Sequence, residues 1–192
     1  KDNYATEAVY VKLFGFGLTP KMIHRLMEVY GLEAAIRVEK NPYSLLYDVE
    51  GFGFKKSDNL AMSIGFKEND FLRLKEAVRY TLNTVCYQQG YTFLTKDQLV
   101  NSAHLLLGSN PIISLEELVQ ALDDLVLAGF IIKEEERYFD SALYKAEVKC
   151  SERIKKLKNK QVSLYKPEKI KEVIKEVELD LDIRYTDLQK EA

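Results

Sequence analysis

Hydrophobic residues recur at helical spacing through most of this 192-residue chain, in short segments that end at glycine. In the first third, the segments before Gly15 and Gly31 both place apolar side chains along one face of a helix. Thr19 and Pro20 supply an N-cap and a proline at the first position of the second helix. Residues 4–65 therefore predict short helices around two glycine-rich turns.

The middle of the chain predicts a different order of elements. A long amphipathic helix over residues 70–89 comes first, Thr95 caps a second helix, and the capping box Ser114–Glu117 begins a third. Two short apolar segments, residues 130–132 and 137–139, flank a charged turn, as the strands of a β-hairpin do. Three helices followed by a β-hairpin is the order of a winged helix.

The composition of the chain indicates the cellular compartment in which we expect the protein. Hydrophobic residues make up 46% of the chain and charged residues 30%, and the longest apolar runs are far too short to cross a bilayer. We expect no signal peptide ahead of the first helix, and the two cysteines, Cys86 and Cys150, lack metal-ligand spacing. We therefore expect a cytoplasmic protein that has no membrane partner.

The strongest candidate for a binding site is the run Val49–Ala61, with the sequence VEGFGFKKSDNLA. Gly51 and Gly53 let the backbone turn tightly, and Lys55 and Lys56 begin the helix that follows. A helix N-terminus has unpaired N–H groups and a partial positive charge, which suit a phosphate. The pattern is typical of a helix-hairpin-helix turn that binds a nucleic-acid backbone; a plain tight turn with solvated lysines is the alternative.

The first glycine turn is a weaker candidate. It contains Gly15 and Gly17, but no lysine pair follows it, and Lys21 lies one turn inside the next helix. We expect this turn mainly to pair with the second one, with direct phosphate contact as the alternative. Together the two turns predict a tandem helix-hairpin-helix domain over residues 1–67.

Net charge is −2, but its distribution along the chain is uneven. Residues 114–140 contain eight Asp/Glu against two Lys/Arg, whereas residues 141–175 contain eleven Lys/Arg against four Glu. DNA phosphates repel an acidic surface, so we expect the winged helix to be a spacer or to face a protein. One basic stretch has two alternative interpretations, as part of a nucleic-acid path or as a solvated helix face. Its residues are Lys145, Lys149, Arg153, Lys155, Lys156, Lys158 and Lys160.

The residues of the chain do not predict catalysis. His24 and His104 are single histidines in amphipathic helices, where packing or surface roles are expected. Paired carboxylates, cysteine clusters and the phosphate-loop motif are all missing from the sequence. We expect no catalytic residue, metal site or bound cofactor in this segment.

Several motifs, taken in order, resemble the region ahead of the motor in RecD-type DNA helicases, the exodeoxyribonuclease V alpha-subunit family. Tyr30-Gly31 and Asn41–Leu45 look like that family's link between two hairpins, and Gly51–Asp58 with Ala61 looks like its second hairpin. Ala142–Glu147 resembles the segment that leads into the motor. The order of these motifs covers nearly the whole chain.

The end of the chain, Tyr185–Ala192, resembles the family's Q-type motif, in which a glutamine contacts the adenine of ATP. By that resemblance Gln189 would hold the base, and residues 141–192 would include the start of the ATPase motor. The resemblance implies a longer parent enzyme that uses ATP and Mg²⁺ to unwind DNA 5′ to 3′ in repair and recombination. It gives this chain neither activity.

The expected fold is therefore mainly α, with a tandem helix-hairpin-helix domain at residues 1–67, a winged-helix-like domain with a small β-hairpin at 68–140, and C-terminal helices at 141–192. Two hypotheses for its function follow. In the first, the chain is a non-catalytic DNA-binding region of a helicase, with the motor as a partner in cis. In the second, it is a scaffold that docks a partner protein or the motor without touching DNA.

Overall fold

A computed structural model describes residues 2–159 and 166–191 of the chain. The chain divides into two compact units, residues 1–146 and residues 147–192. The described residues are mostly α-helical and include a small three-stranded antiparallel sheet. The predicted fold class is therefore confirmed.

The first hairpin consists of α1 (Asp2–Gly15) and α2 (Pro20–Tyr30), joined by a four-residue turn. Thr19 caps α2 as predicted, because its side chain accepts a hydrogen bond from the amide of Met22. The chain leaves α2 at Gly31, which has a positive φ of 54°. Sequence and structure agree on where α2 begins and ends, while α1 begins two residues before the predicted start at residue 4.

The second hairpin follows after a short connecting segment. Asn41 begins the turn into this hairpin, since its side chain accepts a hydrogen bond from the amide of Tyr43. The second glycine turn then separates two helices of unequal length. In chain order the elements are a 3-10 turn at Gly31–Glu33, α3 (Ala34–Lys40), a 3-10 turn at Pro42–Ser44, α4 (Leu45–Asp48) and α5 (Phe54–Ser63).

The two hairpins share one hydrophobic core. Apolar residues from both glycine turns, and from every helix of α1 to α5, are buried together in it. Such shared burial stabilises the pair, because neither hairpin has enough apolar surface for a core of its own. The buried members are Leu13, Leu18, Ile23, Leu26, Ala34, Ala35, Val38, Leu45, Val49, Phe52 and Leu60.

The winged-helix order predicted for the middle of the chain is present. Both Thr95 and Ser114 form complete capping boxes, with Gln98 and Glu117 as the reciprocal partners. The elements are α6 (Phe71–Gln89), β1 (Leu94–Thr95), α7 (Lys96–Leu106), α8 (Leu115–Leu127), β2 (Ile131–Glu134) and β3 (Arg137–Asp140).

The sheet contains one strand that the sequence pattern does not predict. Its order is β1-β3-β2, and Leu94 in β1 pairs with Tyr138 in β3. Because β1 has only two residues, it carries no alternation that could signal a strand. It joins the predicted β-hairpin through backbone pairing, and Leu94 is buried in the same core cluster as Ile131 and Tyr138.

Apolar packing is continuous between the second hairpin and the winged-helix part. Tyr43, Phe54 and Ala61 are buried in the same cluster as the core residues of α6, α7 and α8. The Phe54 ring lies 5.6 Å from the ring of Tyr80 in α6, measured between centroids. The domain boundary near residue 67 stays a prediction, and both parts lie within the first compact unit.

The remaining helices are α9 (Ser141–Asn159), α10 (Pro167–Asp180) and α11 (Asp187–Glu191). The α10 helix begins at Pro167, whose missing N–H and restricted φ suit the first helical position. Lys160, the last residue of the predicted basic stretch, lies outside the described residues. Within the described ranges, no helix is long and apolar enough to span a bilayer.

Candidate nucleic-acid interface

The backbone of the second glycine turn depends on its two glycines. Gly51 adopts a positive φ of 84°, a left-handed conformation that disfavours residues with a Cβ. The amide of Phe52 donates to the carbonyl of Val49 at 3.3 Å, and the Phe52 ring is buried below the turn. Gly53 is the N-cap of α5 and has an extended backbone, with φ −103° and ψ 171°.

The first turn of α5 is left open by this N-cap. The amides of Lys56 and Ser57 both donate to the carbonyl of Gly53, at 3.0 and 3.2 Å. Glycine has no side chain that could accept from the remaining amides. Across the described part of the chain, no group accepts a hydrogen bond from the amides of Phe54 or Lys55. Unpaired amides at a helix N-terminus are an arrangement that binds anions.

The two lysines predicted for this site have different surroundings. Both are exposed, but the amine of Lys56 donates to the carbonyl of Gly51 at 2.8 Å. The amine of Lys55 has no hydrogen bond or ion pair within the ranges that the structure describes. Lys55 is therefore the freer cation beside the open amides.

Arg25, which the sequence analysis does not select, also contacts this turn. Its Nη1 atom donates to the carbonyl oxygen of Glu50 at 2.9 Å. Arg25 lies in α2, so this hydrogen bond joins the first hairpin to the second turn. No local sequence signal marks Arg25, because its partner is 25 residues away.

The first glycine turn leaves fewer amides open at the start of its helix, since among the described residues of the first turn of α2 only the amide of Lys21 has no acceptor. Gly17 has a φ of 81°, while Gly15 is the last residue of α1. The side chain of Thr19 accepts from Met22, and Pro20 has no N–H to offer. Lys21 is exposed on the first turn of α2. The expectation that this turn serves mainly to pair with the second stays a prediction that this geometry favours.

The two hairpins meet directly. The hydroxyl of Ser63 in α5 donates to the carbonyl of Phe16 in the first turn at 3.2 Å. Residues from both hairpins line a shallow hollow of about 330 Å³ beside this contact, including Gly17 and Lys56. All the glycines and lysines predicted for the site therefore belong to one paired structure.

A largely buried ion pair anchors α5 to α6. The guanidinium of Arg73 donates twice to the carboxylate of Asp58, at 2.7 and 2.8 Å, and once to the carbonyl of Glu68. The hydroxyl of Tyr43 donates to the same carboxylate at 2.7 Å. Burial and the Asp58 carboxylate raise the pKa of Tyr43 far above its ordinary value, so this hydroxyl remains a donor. Arg73 aligns with Ala77 and Thr81 on a buried face of α6, which is the signal that could have revealed it.

A second polar contact anchors α4 to the same helix. The hydroxyl of Tyr47 donates to the buried carboxyl of Glu76 at 2.8 Å. The guanidinium of Arg79 lies 4.2 Å from the ring centroid of Tyr47 and 4.3 Å from that of Phe130. Burial raises the pKa of Glu76, although Tyr47 and Arg79 partly offset the effect. The second hairpin is thus fixed to α6 through both of its helices.

The other charged regions differ in how far their side chains are paired. In the wing, Glu134 accepts from the hydroxyl of Tyr144, and Glu135 lies 3.8 Å from Arg137. The basic side chains of α9 are exposed, and the described residues offer them no ion pair. Within the same part of the chain, no group of three potential ligands could hold a metal ion.

The predicted packing and surface roles of the histidines agree with their surroundings. His24 is exposed on α2 and lies 3.3 Å from Glu28 one turn later. His104 is partly buried at the end of α7, where its Nε2 lies 3.3 Å from the carbonyl of Asn110. Neither histidine faces a second candidate ligand in these contacts.

Gln189, the predicted adenine contact, lies in the short helix α11. Its Oε1 accepts hydrogen bonds from the amide and hydroxyl of Thr186, while the Thr186 hydroxyl accepts from the amide of Gln189. This reciprocal pair is a capping box at the start of α11. The role of Gln189 in ATP binding stays a prediction.

Comparison with known proteins agrees with this geometry. Residues 2–93 match the family model described as the helix-hairpin-helix domain of ATP-dependent RecD2 DNA helicases. An ATP-dependent RecD2 DNA helicase of Deinococcus radiodurans is 35% identical to this chain over 86 residues. The match covers 45% of this chain and 12% of that relative, so this chain corresponds to a small part of the relative's length. The resemblance to the region ahead of the motor in RecD-type helicases is thus confirmed for the N-terminal part of the chain, where residues 2–93 are similar to the RecD2 helix-hairpin-helix domain.

Proposed function

We propose that this chain is a non-catalytic DNA-binding region of an ATP-dependent DNA helicase, and that its second hairpin holds the phosphate backbone. The observation that carries the proposal is the N-terminus of α5. Its first two amides have no acceptor in the described part of the chain, and the exposed amine of Lys55 lies beside them in sequence. The match to the helicase helix-hairpin-helix domain supports the same function.

Binding of this kind would be independent of sequence. Backbone amides and lysine amines contact phosphate oxygens, which are identical at every base pair. Affinity would therefore depend strongly on salt, because each neutralised phosphate releases counterions. In the proposed parent enzyme, a motor that uses ATP and Mg²⁺ would move the DNA 5′ to 3′ while this region holds it.

We propose roles for two further parts of the chain, the basic helix α9 and Gln189. The exposed basic side chains of α9 would add phosphate contacts of their own, because they are not neutralised by described partners. Gln189 would contact adenine through its amide nitrogen, since its Oε1 is occupied by Thr186. Both roles are secondary to the contact at α5.

The test is a salt titration of DNA binding by the 192-residue chain. A fluorescein-labelled duplex of about 20 base pairs would be titrated with wild-type chain and with Lys55→Ala/Lys56→Ala at several salt concentrations. We expect the double variant to bind about tenfold more weakly. Its plot of log affinity against log salt should be shallower by about 0.9 for each lysine that contacts a phosphate.

A charge-matched control separates local contact from net charge. Lys40→Ala/Lys67→Ala also removes two exposed lysines, from the end of α3 and from the segment between α5 and α6. We expect this control to bind more tightly than the hairpin variant. Equal losses in both variants would contradict a contact at the hairpin. Absence of binding even at low salt, together with capture of a motor fragment, would favour the scaffold hypothesis.

A further inference from the structure

Two cations hold the carbonyl groups of the second glycine turn. Arg25 donates to the carbonyl of Glu50 at 2.9 Å, and Lys56 donates to the carbonyl of Gly51 at 2.8 Å. We infer that Arg25 and Lys56 are positioning residues, which fix this turn for phosphate binding, and that Lys55 is the lysine that contacts the phosphate. This inference rests on the proposed function, because it divides the work within the same site.

Fixing a carbonyl also fixes the amide on the other side of the same peptide. In a trans peptide the C=O and N–H groups point in opposite directions. With the Glu50 carbonyl held by Arg25, the amide of Gly51 points away from the arginine. That amide has no acceptor within the described residues. It is therefore held in a single orientation as a third open donor, beside those of Phe54 and Lys55.

The position of Arg25 also restricts residue 51. A Cβ built on Gly51 would lie 2.6 Å from Nη1 of Arg25, which is closer than van der Waals contact allows. Any side chain at residue 51 would displace the guanidinium from the Glu50 carbonyl. The positive φ of Gly51 favours glycine at this position, and a larger residue would also cost the hydrogen bond between Arg25 and Glu50.

The surroundings of the two lysines support different roles. The Lys56 amine uses one of its three N–H donors on the Gly51 carbonyl, and this contact holds its side chain against the turn. The Lys55 amine has no described partner to release. A charged hydrogen bond contributes more than a neutral one, so the contact of Lys56 stabilises the turn while Lys55 stays free for the ligand.

Arg25 belongs to the first hairpin, which gives that hairpin a part in binding without a phosphate contact of its own. Its α2 helix buries Ile23 and Leu26 in the shared core, and these flank Arg25 in sequence. The arginine is therefore presented to the second turn from a rigid element. In this arrangement the tandem pair is one binding structure, with the first hairpin acting through Arg25.

The experiment measures the turn and the binding separately. Amide hydrogen exchange at Phe52, whose N–H donates to Val49, reports the order of the turn in the free 192-residue chain. Salt-dependent binding of a fluorescein-labelled duplex reports phosphate contact. The variants are Arg25→Ala, Arg25→Lys, Lys56→Ala and Lys55→Ala, and exchange at Leu26 checks that α2 remains folded.

We expect Arg25→Ala and Lys56→Ala to speed exchange at Phe52 by about tenfold and to weaken DNA binding severalfold without changing the salt slope. Lys55→Ala should leave exchange unchanged and reduce the slope by about 0.9. Arg25→Lys should recover part of the lost affinity, because a lysine amine can still donate to the Glu50 carbonyl.

Two results would overturn the inference. A lower salt slope in Arg25→Ala, with unchanged exchange at Phe52, would make Arg25 a phosphate ligand. An equal loss of slope in Lys56→Ala and Lys55→Ala would remove the division between the lysines. Failure of the wild-type chain to bind duplex would instead defeat the proposed function, and the exchange rates would still decide whether Arg25 orders the turn.

Discussion

The two glycine hairpins share a Gly-x-Gly sequence and a left-handed glycine, yet they differ in how the next helix begins. Thr19 caps α2 with its hydroxyl, and Pro20 removes one of the amides that would need a partner. Gly53 begins α5 with no side chain, and two amides stay open. The N-cap residue and the residue after it therefore set how many amides stay open to an anion, which in the described residues is the Lys21 amide at α2 against those of Phe54 and Lys55 at α5.

The hairpins also differ in how they are anchored. The second is joined to α6 by the Asp58–Arg73 ion pair, whose side chains are 15% and 8% exposed. The first has the Lys12–Glu39 pair, whose side chains are 45% and 43% exposed and therefore contribute little. An open helix N-terminus on a firmly anchored helix is suited to hold a ligand in a fixed position.

The largest expected effect comes from breaking the anchor of the second hairpin. Asp58→Ala leaves Arg73 without its carboxylate in a buried site, which should lower the free energy of unfolding by about 3–5 kcal/mol. Lys12→Ala breaks the exposed pair of the first hairpin and should cost less than about 1 kcal/mol. Urea denaturation of the two variants measures both. Similar losses would show that the anchors do not differ.

A second pair of variants compares the two left-handed glycines. Gly17→Ala places a Cβ in open space, so it should cost only the conformational strain of about 1–2 kcal/mol. Gly51→Ala carries the same strain and also displaces Arg25, so it should cost about twice as much. Only Gly51→Ala should weaken DNA binding. Thermal denaturation and duplex titration of both variants test this, and equal effects would contradict the positioning role of Arg25.

A side-chain N-cap on α5, like the one that Thr19 provides for α2, should affect stability and DNA binding in opposite directions. Gly53→Ser fits the extended backbone, and the nearest atom to the new Cβ is the Tyr80 hydroxyl at 3.8 Å. The serine oxygen would accept from the open amides, so stability should rise by a few tenths of a kcal/mol. DNA binding should weaken about threefold to tenfold because the cap competes with phosphate. Tighter binding in this variant would argue against phosphate at these amides.

The smallest expected effect concerns pH and the anchor at α4. Because burial raises the pKa of Glu76 in the folded state, its stabilising contribution is present below its unfolded pKa of about 4.3 and is lost as pH rises through the folded value. The wild-type chain should therefore lose stability relative to Glu76→Gln as pH rises above about 4.3. Chemical denaturation of both proteins at several pH values measures the difference in their free energies of unfolding. A difference that does not change with pH would show that the pKa of Glu76 is not raised by folding.

Much of this structure could be predicted because its signals are local. The caps Thr19, Thr95 and Ser114 and the glycine turns lie within a few residues of the amides or bends that they determine. These caps and turns predicted where the helices that they flank begin or end, and so the winged-helix order. The candidate turn at Gly51 and Gly53 was predicted on the same basis, from chemistry contained in about ten residues.

What could not be predicted depends on pairs far apart in the chain. Arg25 and Glu50 are 25 residues apart, and Asp58 and Arg73 are separated by a turn and a change of helix. The difference between Lys55 and Lys56 also needs the structure, because adjacent lysines are equivalent in a sequence pattern. Strand β1 was missed since two residues carry no periodicity.

The most direct test of the central claim is an NMR titration of the ¹⁵N-labelled 192-residue chain with duplex DNA at low salt. The account predicts the largest amide shifts at Gly51, Phe54 and Lys55, with much smaller shifts at Lys21 and Met22 on the first hairpin. Large shifts at the start of α2, or no shift at the start of α5 while DNA is bound, would contradict it.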